Sequence, residues 1–147
     1  MIRLPDSSVL IPYLRGRSYL ERVDRDMAAR RLVLCSVVAE EVMAGAHGQA
    51  ERHRYDAFFA RFDRLGRIIT PDNQDWRRCG RVLSRYRERF GAIEPRDHQN
   101  DVLIVLSALH LAQDQETTIL TENDRHLATW LNLLPNCYGL RIEAVRP

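Results

Sequence analysis

Carboxylate and amide side chains stand in this sequence at the points where predicted strands end. Asp6 follows a short apolar segment at the N-terminus, and Glu41 lies in the first turns of the helix after the second predicted strand. Asp101 begins a nearly all-apolar helix, and Asn123 and Asp124 come directly after the fourth strand. Because ligands bind at the carboxyl ends of the strands in a parallel sheet, these side chains are expected to form one site.

Such a cluster would need a counter-charge. Three or four carboxylates at one edge repel each other unless a cation neutralises them, and oxygen ligands without histidine or cysteine partners select Mg²⁺ or Mn²⁺. Divalent ions held in this way activate water for in-line attack on phosphodiester bonds. The pattern therefore predicts a metal-dependent phosphodiester hydrolase.

Each acid also has a purely structural interpretation. Asp6 could cap the helix that follows it by accepting hydrogen bonds from free N–H groups. At least one of the neighbours Glu40 and Glu41 is expected to be solvated. Asp101 is favoured at a helix N-terminus by the helix dipole. The coincidence of all three acids at strand ends is what favours a shared site.

Hydrophobic periodicity predicts short strands that alternate with longer helices. Predicted strands occupy residues 1–4, 31–36, 67–70, 117–121 and 138–145. Predicted helices occupy residues 18–30, 37–46, 49–65, 72–90, 100–112 and 125–133, the fifth of them with a start at either 97 or 100. The alternation indicates an α/β fold with a parallel sheet, and without a linker or repeat the 147 residues form one domain, 1–147.

The composition excludes several classes of protein. The chain is 45% hydrophobic and 29% charged, and no apolar run approaches the roughly 20 residues that cross a bilayer. Its three cysteines are too few and too far apart for a disulfide framework or a Cys-x-x-Cys metal site. These features predict a cytoplasmic protein without a membrane segment.

All 22 basic residues are arginines, although the net charge is only +2. The planar guanidinium binds phosphate through two hydrogen bonds, which suits a phosphodiester substrate, whereas codon usage in a GC-rich genome is the alternative explanation. Six of the arginines cluster in one stretch: Arg77, Arg78, Arg81, Arg85, Arg87 and Arg89.

Four segments, in this order, resemble motifs of the PIN-domain ribonucleases, in particular the VapC-type toxins of bacterial toxin–antitoxin pairs. They are Asp-Ser-Ser-Val-Leu-Ile at 6–11, Ala-Glu-Glu-Val-Met-Ala-Gly-Ala at 39–46, Asn-Asp-Val-Leu-Ile at 100–104 and Leu-Thr-Glu-Asn at 120–123. The resemblance covers essentially the whole chain. It implies a PIN-like three-layer fold in which helices flank a central, mostly parallel sheet of four to five short strands.

The resemblance also implies roles for individual residues. Asp6, Glu41, Asp101 and Asn123 match the four catalytic positions, and Asp6 and Asp101 match metal ligands. The motif register selects Glu41 rather than Glu40. Asn123 departs from an all-acidic set of four.

Three further residues match supporting positions. Ser8 matches the hydroxyl that orients Asp6, and Thr121 matches the usual hydroxyl partner of the fourth position. Asp124 is adjacent to Asn123 and could substitute for it. No histidine pair has metal-ligand spacing, and no catalytic role is expected for His98 or His126.

The function implied by the resemblance is that of an Mg²⁺- or Mn²⁺-dependent endoribonuclease, the toxin of a module with a small antitoxin protein. RNA is the implied substrate, and a homodimer is the implied assembly. The alternative is a PIN-like domain without catalysis that binds RNA or a protein partner, and Asn123 in place of an acid favours it.

A stripe of four aromatic residues lies at helical spacing in the segment 49–65. Aromatic side chains are enriched at interfaces, so we expect the stripe to pack partly across the homodimer interface, with core packing inside the monomer as the alternative. The stripe consists of Tyr55, Phe58, Phe59 and Phe62.

Overall fold

A computed structural model describes residues 1–135 and 137–147. It contains strands β1 (Ile2–Pro5), β2 (Leu34–Cys35), β3 (Ile68–Ile69), β4 (Thr117–Thr121) and β5 (Leu140–Ala144). Its helices are α1 (Ser7–Leu14), α2 (Leu20–Ala28), α3 (Ser36–Ala44), α4 (Gly48–Arg64), α5 (Asn73–Phe90), α6 (Gln99–Asp114) and α7 (Asp124–Leu131). A short 3₁₀ helix, Pro95–Asp97, interrupts the predicted loop between α5 and α6.

The described strands pair in parallel throughout. β4 lies between β1 and β5 in a three-stranded sheet, and β2 pairs with β3 in a second ladder. A single parallel bridge between Arg3 and Leu32 joins the two ladders. Strands alternate with helices along the chain, so the predicted α/β architecture with a parallel sheet is confirmed.

The centre of the fold is built from β4 and α6. All five residues of β4 are buried, and their β-branched side chains suit a strand covered on both faces. In α6 the whole run Val102–Leu109 is buried, which confirms the prediction of a helix enclosed on most sides. This rigid centre fixes Asp101 at the start of α6 relative to the end of β4.

Two predicted strands are shorter in the structure. Within the segments 31–36 and 67–70, only Leu34–Cys35 (β2) and Ile68–Ile69 (β3) form strands, because the two segments pair with each other over just two residues. The peptide from 31 to 33 is held to β1 instead, where the Val33 N–H donates to the Arg3 carbonyl. Apolar character predicted the positions of these strands, but their lengths depend on their partners.

The aromatic stripe of α4 packs inside the chain, so its predicted role at a dimer interface is wrong. Tyr55, Phe59 and Phe62 are 0%, 7% and 3% exposed. Phe58 is partly buried and lies 5.1 Å from Phe62 and 6.2 Å from Tyr13 between ring centroids. Because α4 packs against α3, most of this aromatic face is buried within the monomer.

Two expectations from composition can be compared with the structure. Cys35, Cys79 and Cys137 are free thiols, as predicted from their spacing. Over the described part of the chain, no helix combines the length and the apolar character that a membrane span requires.

Candidate active site

Asp6 lies at the carboxyl end of β1, where the chain turns into α1. Its backbone N–H donates to the Leu120 carbonyl of β4 at 3.0 Å, which fixes the residue beside the end of that strand. The side chain is only 7% exposed. Its Oδ1 accepts hydrogen bonds from the Ser8 backbone N–H at 3.0 Å and from the Ser8 hydroxyl at 2.5 Å. Asp6 therefore caps α1, and it also presents a buried carboxylate at the sheet edge.

Two hydroxyl groups connect Asp6 to the segment that follows β4. The Ser8 hydroxyl accepts the N–H of Glu122 at 2.9 Å while it donates to Asp6. The Thr121 side chain also forms a hydrogen bond with Asp6, and its hydroxyl accepts the Asn123 N–H at 2.9 Å. Ser8 and Thr121 thus hold the ends of β1 and β4 in register around one carboxylate.

The electrostatic state of Asp6 reflects its burial. Loss of water raises the pKa of Asp6 above its ordinary value, although the hydrogen bonds from Ser8, Thr121 and the Val9 N–H act in the opposite direction. The ionised form is thus less stable than it would be in water, and a nearby positive charge would stabilise it.

Glu41 and Asp101 face the same region from two other elements. Glu41 lies on α3 and is half-buried, whereas Glu40 is exposed. The Asn100 side-chain amide donates to Glu41 Oε1 at 3.1 Å and so ties α3 to the start of α6. Asp101 follows Asn100, and its side chain is 32% exposed.

The pKa of Asp101 records the proximity of the three acids. Burial raises this pKa most, and the negative charges of Glu41 and Asp6 raise it further. His126 and His98 lower it, and the His126 Nδ1 lies 3.9 Å from Asp101 Oδ2. Asp6 after β1, Glu41 on α3 and Asp101 on α6 therefore influence one another electrostatically, and we call these three residues the acid cluster.

The residues after β4 lie beside the acid cluster. Asn123 is exposed, precedes α7, and is linked to Asp6 through the Thr121 hydroxyl. Asp124 begins α7, and its carboxylate lies 3.7 Å from the Arg146 guanidinium. An arginine partner makes Asp124 less available than Asn123 as a cation ligand.

The profile of the PIN-domain family matches residues 3–130. The chain belongs to the PIN-domain family. The resemblance seen in the four sequence motifs is therefore confirmed at the level of the family. No significant match is found among curated protein sequences.

Solved structures with this PIN fold cover almost the whole chain. DNA-bound VapBC from Salmonella typhimurium matches with a TM-score of 0.63 at 18% identity, covering 98% of each chain. VapBC2 from Rickettsia felis, bound to a promoter DNA fragment, matches with 0.63 at 17% identity over 99% of this chain and 100% of the other. FitAB bound to an IR36 DNA fragment matches with 0.63 at 15% identity over 97% and 94%. At these identities the likeness shows a shared fold.

Sequence reasoning missed two neighbours of the acids in this PIN domain. Asn100 binds Glu41, and His126 lies beside Asp101, although no role was expected for that histidine. The position of Asn100 directly before an acid was visible in the sequence. Its contact with α3 was not, because that contact depends on how α3 and α6 pack.

A second group of potential metal ligands lies at the start of α5. Among the described residues, Asp72, Asp75 and His110 place one ligand atom each within 4.8 Å of one another. Asp72 and Asp75 form a capping box for α5, and His110 Nε2 lies 2.8 Å and 3.0 Å from the two Asp75 oxygens. Helix capping and this pairing account for the geometry, so the group serves the stability of α5.

Replacement of Asp75 by alanine is expected to lower the free energy of unfolding by about 2–3 kcal/mol, since it removes one of the two hydrogen bonds of the capping box and a buried hydrogen-bonded carboxylate. Asp75 is 1% exposed, whereas Asp63 is an exposed acid on α4. Urea unfolding of Asp75→Ala, with Asp63→Ala as a matched control, measures this. Equal midpoints for the two variants would contradict the assignment.

Proposed function

We propose that this PIN-domain protein, a single domain over residues 1–147, is an Mg²⁺- or Mn²⁺-dependent endoribonuclease. The observation that carries the proposal is the acid cluster. Asp6, Glu41 and Asp101 come from three elements, and the pKa values of Asp6 and Asp101 are raised by burial. Neighbouring carboxylate oxygens are the ligand set that Mg²⁺ and Mn²⁺ prefer.

Asp6 and Asp101 are the proposed metal ligands. A divalent ion bound there would supply a Lewis acid that activates water and stabilises the leaving oxygen of an RNA phosphodiester. Glu41, oriented by Asn100, completes the negative cluster, and Asn123 offers a neutral carbonyl oxygen. Ser8 and Thr121 hold Asp6 in one orientation, so the site is assembled before substrate binds.

The PIN assignment together with the fold comparison supports a proposal for the biological role. We propose that the chain is the toxin of a toxin–antitoxin pair in the cytoplasm, that it is inhibited by a small antitoxin protein, and that it forms a homodimer. The structures that share its fold are VapBC and FitAB complexes. Since the α4 aromatic stripe is buried within the monomer, the dimer must use another face.

The test is cleavage of end-labelled RNA in Mg²⁺, in Mn²⁺ and in excess EDTA, with Asp6→Asn as the inactive variant. Cleavage in either metal, lost in EDTA and in Asp6→Asn, is expected. Full cleavage in EDTA would contradict metal dependence. RNA binding by the wild-type protein without any cleavage would instead support the non-catalytic PIN module.

The fourth site position gives a separate prediction. Asn123→Ala is expected to lower the cleavage rate and raise the Mg²⁺ concentration required, because a neutral oxygen ligand is lost. Asn123→Asp should keep activity and lower that requirement, since it adds a charge. Asp124→Ala should have a smaller effect, because Asp124 already pairs with Arg146. An Mg²⁺ titration of cleavage rate compares them, and an inactive Asp124→Ala beside a normal Asn123→Ala would move the position to Asp124.

A further inference from the structure

A pocket borders the acid cluster on the side of Asn100. It has a volume of about 380 Å³, which falls in the range of small-ligand sites. Asn100 forms part of its wall and also donates to Glu41, so pocket and acid cluster share a residue. The wall combines apolar, amide and charged groups, among them Val37, Glu40, Trp76, Arg96, Asn100 and Leu103.

Trp76 is the unusual member of this wall. Helix α5 buries Cys79, Val82 and Leu83 against the core, and Trp76 stands at the N-terminal end of the same face, three and seven residues before Cys79 and Leu83, yet it is 51% exposed. The other tryptophan, Trp130, is 3% exposed. An indole held open to solvent beside a pocket offers a flat apolar surface, and nucleic-acid bases stack on such surfaces without regard to sequence.

A stripe of arginines begins at Arg77, the residue after Trp76, and winds around the solvent-exposed side of α5 by about 40° for every fourth residue. Arg77, Arg81, Arg85 and Arg89 recur at every fourth residue, a rise of about 6 Å per step, and all four are exposed. Within the described part of the chain none of them forms an ion pair with a carboxylate. Unpaired guanidinium groups along a line suit a polyanion better than an isolated anion.

We propose that α5 binds the single-stranded RNA next to the cleaved bond, with an unpaired base stacked on Trp76 in the pocket and phosphates along the arginine stripe. This proposal rests on the proposed ribonuclease function. The pocket wall carries one carboxylate, Glu40, and one guanidinium, Arg96, so it has no excess positive charge for a phosphate, and the exposed indole favours a neutral base as the occupant. A base must leave its helix to enter, so duplex RNA should bind less tightly.

The first experiment uses Asp101→Asn protein, so that binding is measured without cleavage. Titration with single-stranded poly(U) is expected to quench the emission of Trp76, whereas Trp130 is shielded. Introducing Trp76→Ala into the Asp101→Asn protein should remove the quenching and weaken poly(U) binding about tenfold, within a range of roughly 5- to 150-fold. Trp76→Phe should restore part of the affinity, and Tyr138→Ala, which changes an 87% exposed aromatic residue, should leave binding unchanged.

The second experiment measures the salt dependence of poly(U) binding. Each phosphate contact with a single strand contributes about 0.7 to the slope of log K against log salt. Arg81→Gln/Arg85→Gln should therefore lower the slope by about 1.4. The control Arg25→Gln/Arg52→Gln removes the same charge from exposed positions of α2 and α4. It should keep most of the wild-type slope of log K against log salt.

Three results from the binding and sedimentation measurements would overturn the proposal. The first is unchanged poly(U) binding in Trp76→Ala, and the second is an equal loss of the salt slope in the two double arginine variants. The third is a change of sedimentation from dimer to monomer in RNA-free Trp76→Ala, which would assign this face to a second copy of the chain. Normal cleavage by Trp76→Ala would also overturn it and leave the ribonuclease function intact. Loss of binding in Trp76→Ala, with no cleavage by the wild-type protein in either metal, would remove only the ribonuclease function.

Discussion

Replacement of Asp101 by asparagine is expected to abolish RNA cleavage and, in metal-free protein, to raise the melting temperature by a few degrees. Cleavage should fall at least about 100-fold, because the proposed ion supplies several kcal/mol of transition-state stabilisation and loses a charged ligand. The stability gain has a separate cause, since Asp101 is partly buried beside the negative charges of Glu41 and Asp6. A neutral amide of the same shape removes that repulsion.

The pH dependence of this gain follows from the direction of the pKa shift. The pKa of Asp101 is raised in the folded protein, so the ionised side chain costs stability above the folded pKa. The advantage of Asp101→Asn should therefore be full at neutral pH. It should disappear as the pH falls below about 4, where both the folded and unfolded forms of Asp101 are protonated.

Thermal unfolding with and without Mg²⁺ completes the measurement. Mg²⁺ should raise the melting temperature of the wild-type protein by mass action, and most of this shift should be absent from Asp101→Asn. Asp63→Asn, a change at an exposed acid on α4, should keep the full shift. An Asp101→Asn protein that still cleaves RNA, or that keeps the Mg²⁺ shift, would remove Asp101 from the metal ligands.

Adjacent glutamates provide a matched pair for the second prediction. Glu41→Gln is expected to lower cleavage at least about 100-fold, because Glu41 adds charge to the acid cluster and is fixed by Asn100. Glu40→Gln should lower the rate far less, because Glu40 is exposed and lines the neighbouring pocket rather than the acid cluster. The two residues are about 100° apart around α3, which is why one faces the cluster.

The cleavage rates of both variants, with circular dichroism to check that each is folded, decide which of the two glutamates belongs to the acid cluster. The two proteins carry the same chemical change at neighbouring positions, so a general effect of losing one glutamate would lower both rates equally. A Glu40→Gln protein more damaged than Glu41→Gln would shift the assignment on α3 by one residue. Equal damage would indicate that both carboxylates act on substrate or metal.

The fold could be predicted best where packing leaves few choices. The β4 segment is short and rich in β-branched residues, and its predicted bounds of 117–121 agree with the structure. The α6 helix agrees within a few residues because its apolar run is too long for a strand. The lengths of β2 and β3 could not be predicted, since two parallel edge strands extend only as far as each finds a partner.

The sequence indicated which acids would lie near one another but not which side chains would support them, and their role as a site stays a prediction. Strand ends in a parallel sheet converge, so the meeting of Asp6, Glu41 and Asp101 could be anticipated from their places in the chain. The side chain that supports these acids could not be anticipated, because Asn100 reaches Glu41 only through the packing of α3 on α6. The same limit explains the error on the α4 aromatic residues, whose spacing shows a common face but not what covers it.

The hydrogen bond from Glu122 to the Ser8 hydroxyl joins residues 114 positions apart. During synthesis the Asp6 carboxylate therefore leaves the ribosome long before β4 and Glu122, which complete its surroundings. Until they arrive, β1 lacks its β4 partner and the carboxylate is held by local contacts alone. We therefore expect the surroundings of Asp6 to stay incomplete until Glu122 has left the ribosome, so that under the proposed ribonuclease function no cleavage precedes the completion of the chain.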